Sequence, residues 1–84
     1  MRVDAPNVIV EAVKKAEDGD DVIVRLYECE HQSARATLRF GFPISAAAEA
    51  SLMEIAKAPL SVRDDAVELQ FAPFEIKTVR AVWR

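Results

Sequence analysis

KKAEDGDDVIVRLYE, the stretch from Lys14 to Glu28, decides the fold. It places a polar turn, Glu17–Asp21, before a run of strong β-formers, Val22–Tyr27. Asp-Gly in such a turn favours a hairpin, because glycine takes positive φ without a clash and aspartate can hydrogen-bond its own backbone. Another β-rich run, NVIVEAVKK, precedes the turn. The sequence therefore predicts one antiparallel hairpin from Asn7 to Cys29, to which the rest of the chain adds strands.

The faces of the two hairpin strands can be assigned from their alternation. In the first strand we expect Val8, Val10 and Ala12 to share one face. The second strand is partly apolar on both faces, since Ile23 and Tyr27 lie opposite its other apolar residues. This pattern predicts a central strand, or a strand whose second face meets another domain.

Two further half-buried strands follow from apolar and polar alternation. The first is Ala36–Phe42, with apolar residues at every second position and a stop at Pro43. The second is Val67–Phe71. Before the first of them, Met1–Pro6 is predicted to be a lead-in, and Arg63–Asp65 is predicted to be a turn.

The stretch Ile44–Ala58 allows two interpretations. It is rich in Ala, Glu, Leu and Met, the best helix formers, and lies between Pro43 and Pro59. The β pattern on both sides favours a strand instead. We predict a strand, because tertiary context overrides intrinsic propensity. Pro59–Val62 is predicted to be a short extended piece.

The last strand changes its parity. Phe74 and Ile76 continue one apolar face, whereas Val79, Ala81 and Trp83 fall on the other. A β-bulge near Lys77–Thr78, or burial on both sides, would explain the change. Six or seven short strands in all predict an all-β fold, a small antiparallel β-sandwich.

Composition narrows the classes of protein. The 84 residues suit one domain, 1–84, and a net charge of −3 argues against a nucleic-acid partner or an anionic membrane surface. The chain has one cysteine, so an internal disulfide cannot form, and a cytoplasmic location is the expectation. No apolar run in the sequence reaches the length of a membrane span.

The sequence offers few chemical groups in a recognised pattern. Cys29-Glu30-His31 lacks the three or four spaced ligands of a zinc site, and the acidic turn Glu17–Asp21 lacks the spacing of a calcium loop. We therefore predict neither a metal site nor a catalytic residue in this chain. Trp83, Tyr27 and Phe42 are either core or interface residues or a sugar-stacking platform, and the first interpretation is favoured in so small a domain.

Three blocks of the chain resemble the C-terminal β-domain of family 38 α-mannosidases. They are Val10–Glu28, Ala36–Pro43 and Phe71–Arg80, and they include Lys14 and the run Pro73–Thr78. The blocks occur in the same order and at similar spacing, and the resemblance spans about Asn7 to Arg80. It also favours a strand over the ambiguous stretch that begins at Ile44.

The resemblance implies an active site elsewhere. In that family an N-terminal α/β domain holds a zinc ion, an aspartate nucleophile and an acid/base carboxylate, and the enzymes hydrolyse terminal α-mannosyl linkages. This chain would then be a non-catalytic C-terminal domain that packs against other domains of the same polypeptide, with no cofactor of its own. The exposed docking surface would also allow the isolated chain to self-associate.

Weak binding candidates follow from the same resemblance. The loop Glu28–Arg35 is expected to approach the mannose cleft, which makes His31 a candidate together with Arg25 and Tyr27 on the preceding strand. The runner-up function is a free carbohydrate- or protein-binding β-module.

Overall fold

The computed structural model describes residues 1–17, 19–53 and 55–83. These residues form eight β-strands and no helix, which confirms the all-β sandwich and adds at least one strand to the six or seven expected. The strands are β1 (Arg2–Val3), β2 (Val8–Lys15), β3 (Val22–Glu28), β4 (Ala34–Arg39), β5 (Ile44–Ala50), β6 (Ala56–Leu60), β7 (Ala66–Phe71) and β8 (Ile76–Trp83).

Two antiparallel sheets make the sandwich. One has five strands in the order β2-β3-β8-β5-β6, and the other has three in the order β1-β4-β7. The apolar side chains between them include several with at most 1% exposure: Val24, Leu26, Ala36, Leu38, Phe40, Val67, Val79 and Ala81. Burial of these side chains is the main force that holds the two sheets together.

The predicted hairpin from Asn7 to Cys29 is confirmed. Strands β2 and β3 pair from Val8↔Glu28 to Lys15↔Val22. The register shifts between Val10 and Ala12, so a bulge at this point turns Ala12 away from the core. The expectation that Val8, Val10 and Ala12 share one buried face is therefore wrong at Ala12, which is exposed.

The ambiguous stretch forms strands, but not one continuous strand. Strand β5 ends at Ala50, and β6 runs antiparallel to it from Ala56. The hydroxyl oxygen of Ser51 accepts hydrogen bonds from the backbone N–H of Met53, 3.2 Å, and of Ile55, 3.3 Å. This serine therefore closes a tight connection where the sequence suggested uninterrupted strand. The extended piece predicted from Pro59 is the end of β6.

The last strand corrects the predicted parity. Strand β8 pairs with β3 from Ile76↔Tyr27 to Ala81↔Val22 without a shift in register, so the bulge expected near Lys77–Thr78 is not found. Val79 and Ala81 lie in the core, whereas Phe74 and Ile76 are exposed. Thr78 is also buried, in agreement with the alternative of burial on both sides, because β8 lies between β3 and β5.

The lead-in and the predicted turn have defined structures. Arg2 and Val3 pair with Arg39 and Leu38 of β4, so Met1–Pro6 is not only a lead-in. The turn at 63–66 is confirmed by reciprocal backbone hydrogen bonds of 3.0 Å between Arg63 and Ala66. Within this turn Asp64 has a φ of 53°.

Both edges of the five-stranded sheet carry features that oppose the addition of another strand. Strand β2 has the bulge before Ala12 and ends in Lys14 and Lys15, and β6 contains Lys57 and Pro59. Charged side chains, proline and bulges are the usual means by which edge strands avoid pairing with another chain. In the described part of the chain, no helix is long and apolar enough to cross a membrane.

Candidate functional site

The carboxylate of Glu28 organises one end of the sandwich. This side chain is 1% exposed at the last position of β3. Its Oε2 accepts hydrogen bonds from Asn7 Nδ2, 2.9 Å, and from the N–H of Glu30, 2.7 Å. Its Oε1 accepts from the N–H of Gln32, 3.1 Å, and of Phe74, 2.9 Å. One carboxylate thus joins the β1–β2, β3–β4 and β7–β8 connections.

These hydrogen bonds determine the ionisation of Glu28. Burial alone would raise its pKa, but the N–H of Phe74, the amide of Asn7 and the N–H groups of Glu30 and Gln32 together lower the pKa from 4.5 to about 2. Donors that satisfy both oxygens favour the charged form over the neutral acid. Glu28 is therefore ionised at neutral pH, and its oxygens are occupied by donors of the protein itself.

The candidate His31 lies at this same end. Its ring stacks on the ring of Phe74, with centroids 4.8 Å apart and planes 6° from parallel. Both residues have positive φ, 57° for His31 and 60° for Phe74. Non-glycine residues rarely adopt this backbone conformation, which persists only where surrounding contacts hold it. The hydrogen bonds from Gln32 and Phe74 to Glu28 supply those contacts.

The candidates Arg25 and Tyr27 lie on the outer face of the five-stranded sheet, away from the core. Both are half-buried. Arg25 Nε donates to Thr78 Oγ1 at 3.4 Å, across the β3–β8 pair. Tyr27 lies between Ile9 of β2 and Ile76 of β8 in the register. The structure thus brings Tyr27 and His31 to the same end of the sandwich, with Arg25 one step further along the strand.

A charged cluster also lies near this end. Lys77 Nζ is 2.9 Å from Glu49 Oε1 and 3.5 Å from Glu75 Oε2. It also lies 5.9 Å from the centre of the Phe71 ring. Burial lowers the pKa of Lys77, but its hydrogen bond and Coulomb attraction to Glu49 and its attraction to Glu75 outweigh that effect and raise the pKa. The cation is therefore neutralised within the domain.

The opposite end of the sandwich has an apolar concavity of about 600 Å³. Val13, Val22, Phe42 and Trp83 line it, and the Lys15–Asp20 ion pair of 3.0 Å is at its rim. The rings of Phe42 and Trp83 stack with centroids 4.6 Å apart. Two of the three aromatics considered for sugar stacking thus lie together here, whereas Tyr27 lies at the other end.

The side chains and N–H groups around Glu28 hold three connections in position and do not form a reaction centre. A general acid needs a proton to give, and Glu28 is held as an ionised acceptor by four donors. Among residues 1–17, 19–53 and 55–83, no three His, Cys, Asp or Glu side chains come together as metal ligands. The described residues therefore do not fit the zinc ion that the resemblance implies for the catalytic domain.

The role of Glu28 as a buried acceptor was not predicted from the sequence. An acidic residue that ends a strand of buried residues is a weak local signal of a buried carboxylate. Its donors lie 21 and 46 residues away, at Asn7 and Phe74. Local alternation cannot bring such distant groups together, because only the sheet topology does so.

One comparison with known proteins identifies a family for this chain. A model of the "Glycosyl hydrolases family 38 C-terminal beta sandwich domain" matches residues 7–79. A search of curated proteins finds no match. The matched region runs from Asn7, which bonds Glu28, to Val79 in the core of β8. The chain therefore belongs to the family of C-terminal β-sandwich domains of glycosyl hydrolase family 38.

Proposed function

We propose that this chain is the non-catalytic C-terminal domain of an α-mannosidase and that it packs against and stabilises the other domains of the enzyme. The observation that carries the proposal is the family match over residues 7–79. The parent enzyme hydrolyses terminal α-mannosyl residues, with its zinc ion and catalytic carboxylates in a separate domain. The partners of this chain are then the other domains of the same polypeptide.

The chemistry of the described residues supports a structural role. Retaining hydrolysis of a glycoside uses two carboxyl groups about 5–5.5 Å apart that face each other across the bond to be broken. The most buried carboxylate here, Glu28, instead uses both of its oxygens to hold three connections of its own domain. Glu49 and Glu75 are engaged with Lys77.

Hydrolysis of a panel of aryl glycosides tests this proposal. The chain alone and the enzyme that carries it are each incubated with p-nitrophenyl α-mannoside, α-glucoside and α-galactoside. We expect the enzyme to release nitrophenol from the α-mannoside and the chain alone to release none. Turnover by the chain alone, or an enzyme inactive on α-mannosides but active on another glycoside, would contradict the proposal.

The concavity beside Trp83 favours a second candidate, a carbohydrate- or protein-binding module. Its stacked aromatic rings and the Lys15–Asp20 pair provide an apolar wall with polar groups at the rim, as sites for small ligands do. Trp83 is the single tryptophan of the chain, so its fluorescence reports on this site. Saturable changes on titration with methyl α-mannoside would support this candidate. A flat titration would leave the packing role as the better account.

A further inference from the structure

We infer that one end of the five-stranded sheet is the docking end of the domain and binds an apolar surface of another domain of the same polypeptide. The docking end consists of the β3–β4 connection, the β5–β6 connection, the β7–β8 connection and the first residues of β2 and of β8. This inference rests on the proposed packing role and names the surface that performs it.

The sheet topology brings these segments together. Glu28, at the end of β3, pairs with Val8 at the start of β2. Tyr27 pairs with Ile76 at the start of β8, and Ala50, at the end of β5, pairs with Thr78. Chain segments that lie far apart in the sequence therefore project from one end of the sheet.

Large apolar side chains are concentrated at the docking end. Of the ten described large hydrophobic side chains that are exposed, six belong to it, with exposures of 38–79%: Ile9, Leu52, Met53, Ile55, Phe74 and Ile76. Together they expose on the order of 600 Å² of surface, taking roughly 150–250 Å² for a large side chain. Contiguous apolar patches of about 300–600 Å² often mark interaction sites, and the summed apolar exposure of the docking end is of this size.

Hydrogen bonds hold the backbone of two connections of the docking end before any partner binds. Ser51 accepts hydrogen bonds from the N–H of Met53 and of Ile55, and fixes the β5–β6 connection. Glu28 accepts from the N–H of Phe74 and fixes the β7–β8 connection. A surface ordered in advance loses little conformational entropy when it binds, so more of the apolar burial appears as affinity.

The charges of the docking end suit an apolar partner. Lys77 is paired with Glu49 and Glu75, and the ionised carboxylate of Glu28 accepts hydrogen bonds from donors of its own domain. These charged groups keep their partners when an apolar surface covers them.

The area and the sheet edges distinguish a tethered domain from a second copy of the chain. The exposed apolar surface of about 600 Å² is smaller than the roughly 800 Å² that each partner buries in a stable complex of free proteins. With an equal area on its partner it would bury about 1,200 Å² in total, within the 600–1,500 Å² over which domains of one chain meet. A tether supplies a millimolar effective concentration, so a domain of the same chain can bind through this smaller area. Strand addition by a second copy is opposed at β2 by Lys14 and Lys15, and at β6 by Pro59.

Hydrogen–deuterium exchange of the chain alone and of the full enzyme tests this inference. We expect the amides at 29–33, 51–53, 55, 72 and 74–76 to exchange at least tenfold more slowly in the enzyme, with unchanged rates around Val13 and Phe42 at the other end. Protection at the Trp83 end instead would overturn the assigned surface and leave the packing role intact. Equal rates everywhere would overturn both.

A matched pair of substitutions on one strand gives a second readout. Ile76 and Val82 are both exposed on the outer face of β8, and only Ile76 belongs to the docking end. In the enzyme, we expect Ile76→Glu to make the amides of the docking end exchange about tenfold faster than in the unaltered enzyme. We expect Val82→Glu to leave these exchange rates unchanged. Neither should shift the melting temperature of the chain alone by more than a few degrees. Equal effects of the two substitutions in the enzyme would overturn the assignment.

Discussion

Replacing Glu28 with glutamine should destabilise the domain, because an amide accepts hydrogen bonds on one side only. Each oxygen of Glu28 accepts two donors: Asn7 and Glu30 on Oε2, and Gln32 and Phe74 on Oε1. In either orientation of the glutamine, its NH2 group faces two N–H groups that lose their acceptor. We expect the melting temperature to fall by roughly 10–20 °C, since each lost acceptor for a buried donor costs several degrees in a domain of this size.

The pH dependence of the melting temperature provides a second test of the role of Glu28. The pKa of Glu28 is lowered from 4.5 to about 2 by folding. Between these values the unfolded chain binds more protons than the folded chain, so this contribution to stability is complete above pH 4.5 and is lost as the pH falls towards 2. The Glu28→Gln variant should lack this component, and its melting temperature should fall less steeply between pH 4.5 and 2.

Glu30→Gln is the matched control, because Glu30 is exposed in the same connection. Thermal unfolding followed by circular dichroism at pH 7 and at steps down to pH 2 is the assay. We expect Glu30→Gln to melt within a few degrees of the wild-type chain at pH 7. If Glu28→Gln lowered the melting temperature by less than about 5 °C, or kept the full acid dependence, the role assigned to Glu28 would be refuted.

Three further substitutions test the core, the charged cluster and the backbone. Leu38→Ala removes a fully buried side chain and should lower the free energy of unfolding by about 2–5 kcal/mol in urea, whereas a loss under about 1 kcal/mol would contradict its place in the core. Lys77→Met leaves Glu49 and Glu75 without their cation and should lower the melting temperature at pH 7. Because folding raises the pKa of Lys77, the difference from wild type should narrow as the pH rises above 10.5, and a constant difference would argue against the ion pair. Asp64→Gly relieves a φ of 53° and should raise the free energy of unfolding by about 0.5 kcal/mol, and a loss of stability would count against this backbone conformation.

Alternation of apolar and polar residues predicted the parts of the fold that depend on local pattern. Leu38 and Phe40 are buried as their spacing in the sequence indicates, and β2 and β3 pair as the two strands of the predicted hairpin. These features were predictable because a strand buried on one face repeats every two residues. The family resemblance supplied the same β-sandwich, and the match over residues 7–79 confirms it.

The remaining features depend on contacts that are distant in sequence. The bulge before Ala12 changes the face of every later residue in β2, and alternation alone cannot place such an insertion. Ile76 was expected to continue an apolar face with Phe74, but both side chains are exposed, and β8 keeps one register with β3 throughout. Ile76's neighbours Tyr27 and Thr78 show that register with β3 decides the face instead.

The candidate site was predicted only in part for the same reason. His31 and Tyr27 were named from their loop and strand, and the structure places both at the same end of the sandwich. Two further residues were not predicted as site residues. They are Phe74, which stacks on His31, and Glu28, which accepts hydrogen bonds from both of their connections. The roles of Phe74 and Glu28 depend on the antiparallel pairing of β3 with β8. This pairing brings His31 and Phe74 together, although they are 43 positions apart in the sequence.

Thermal inactivation of the parent enzyme, with and without this domain, tests the central claim most directly. Hydrolysis of p-nitrophenyl α-mannoside is followed after incubation at a series of temperatures. We predict that the enzyme without the domain retains measurable activity at low temperature and loses it at least tenfold faster on heating, because its docking surface is left exposed. Equal rates of inactivation would contradict the proposed packing role, as would a shortened enzyme that folds stably but has no activity at any temperature.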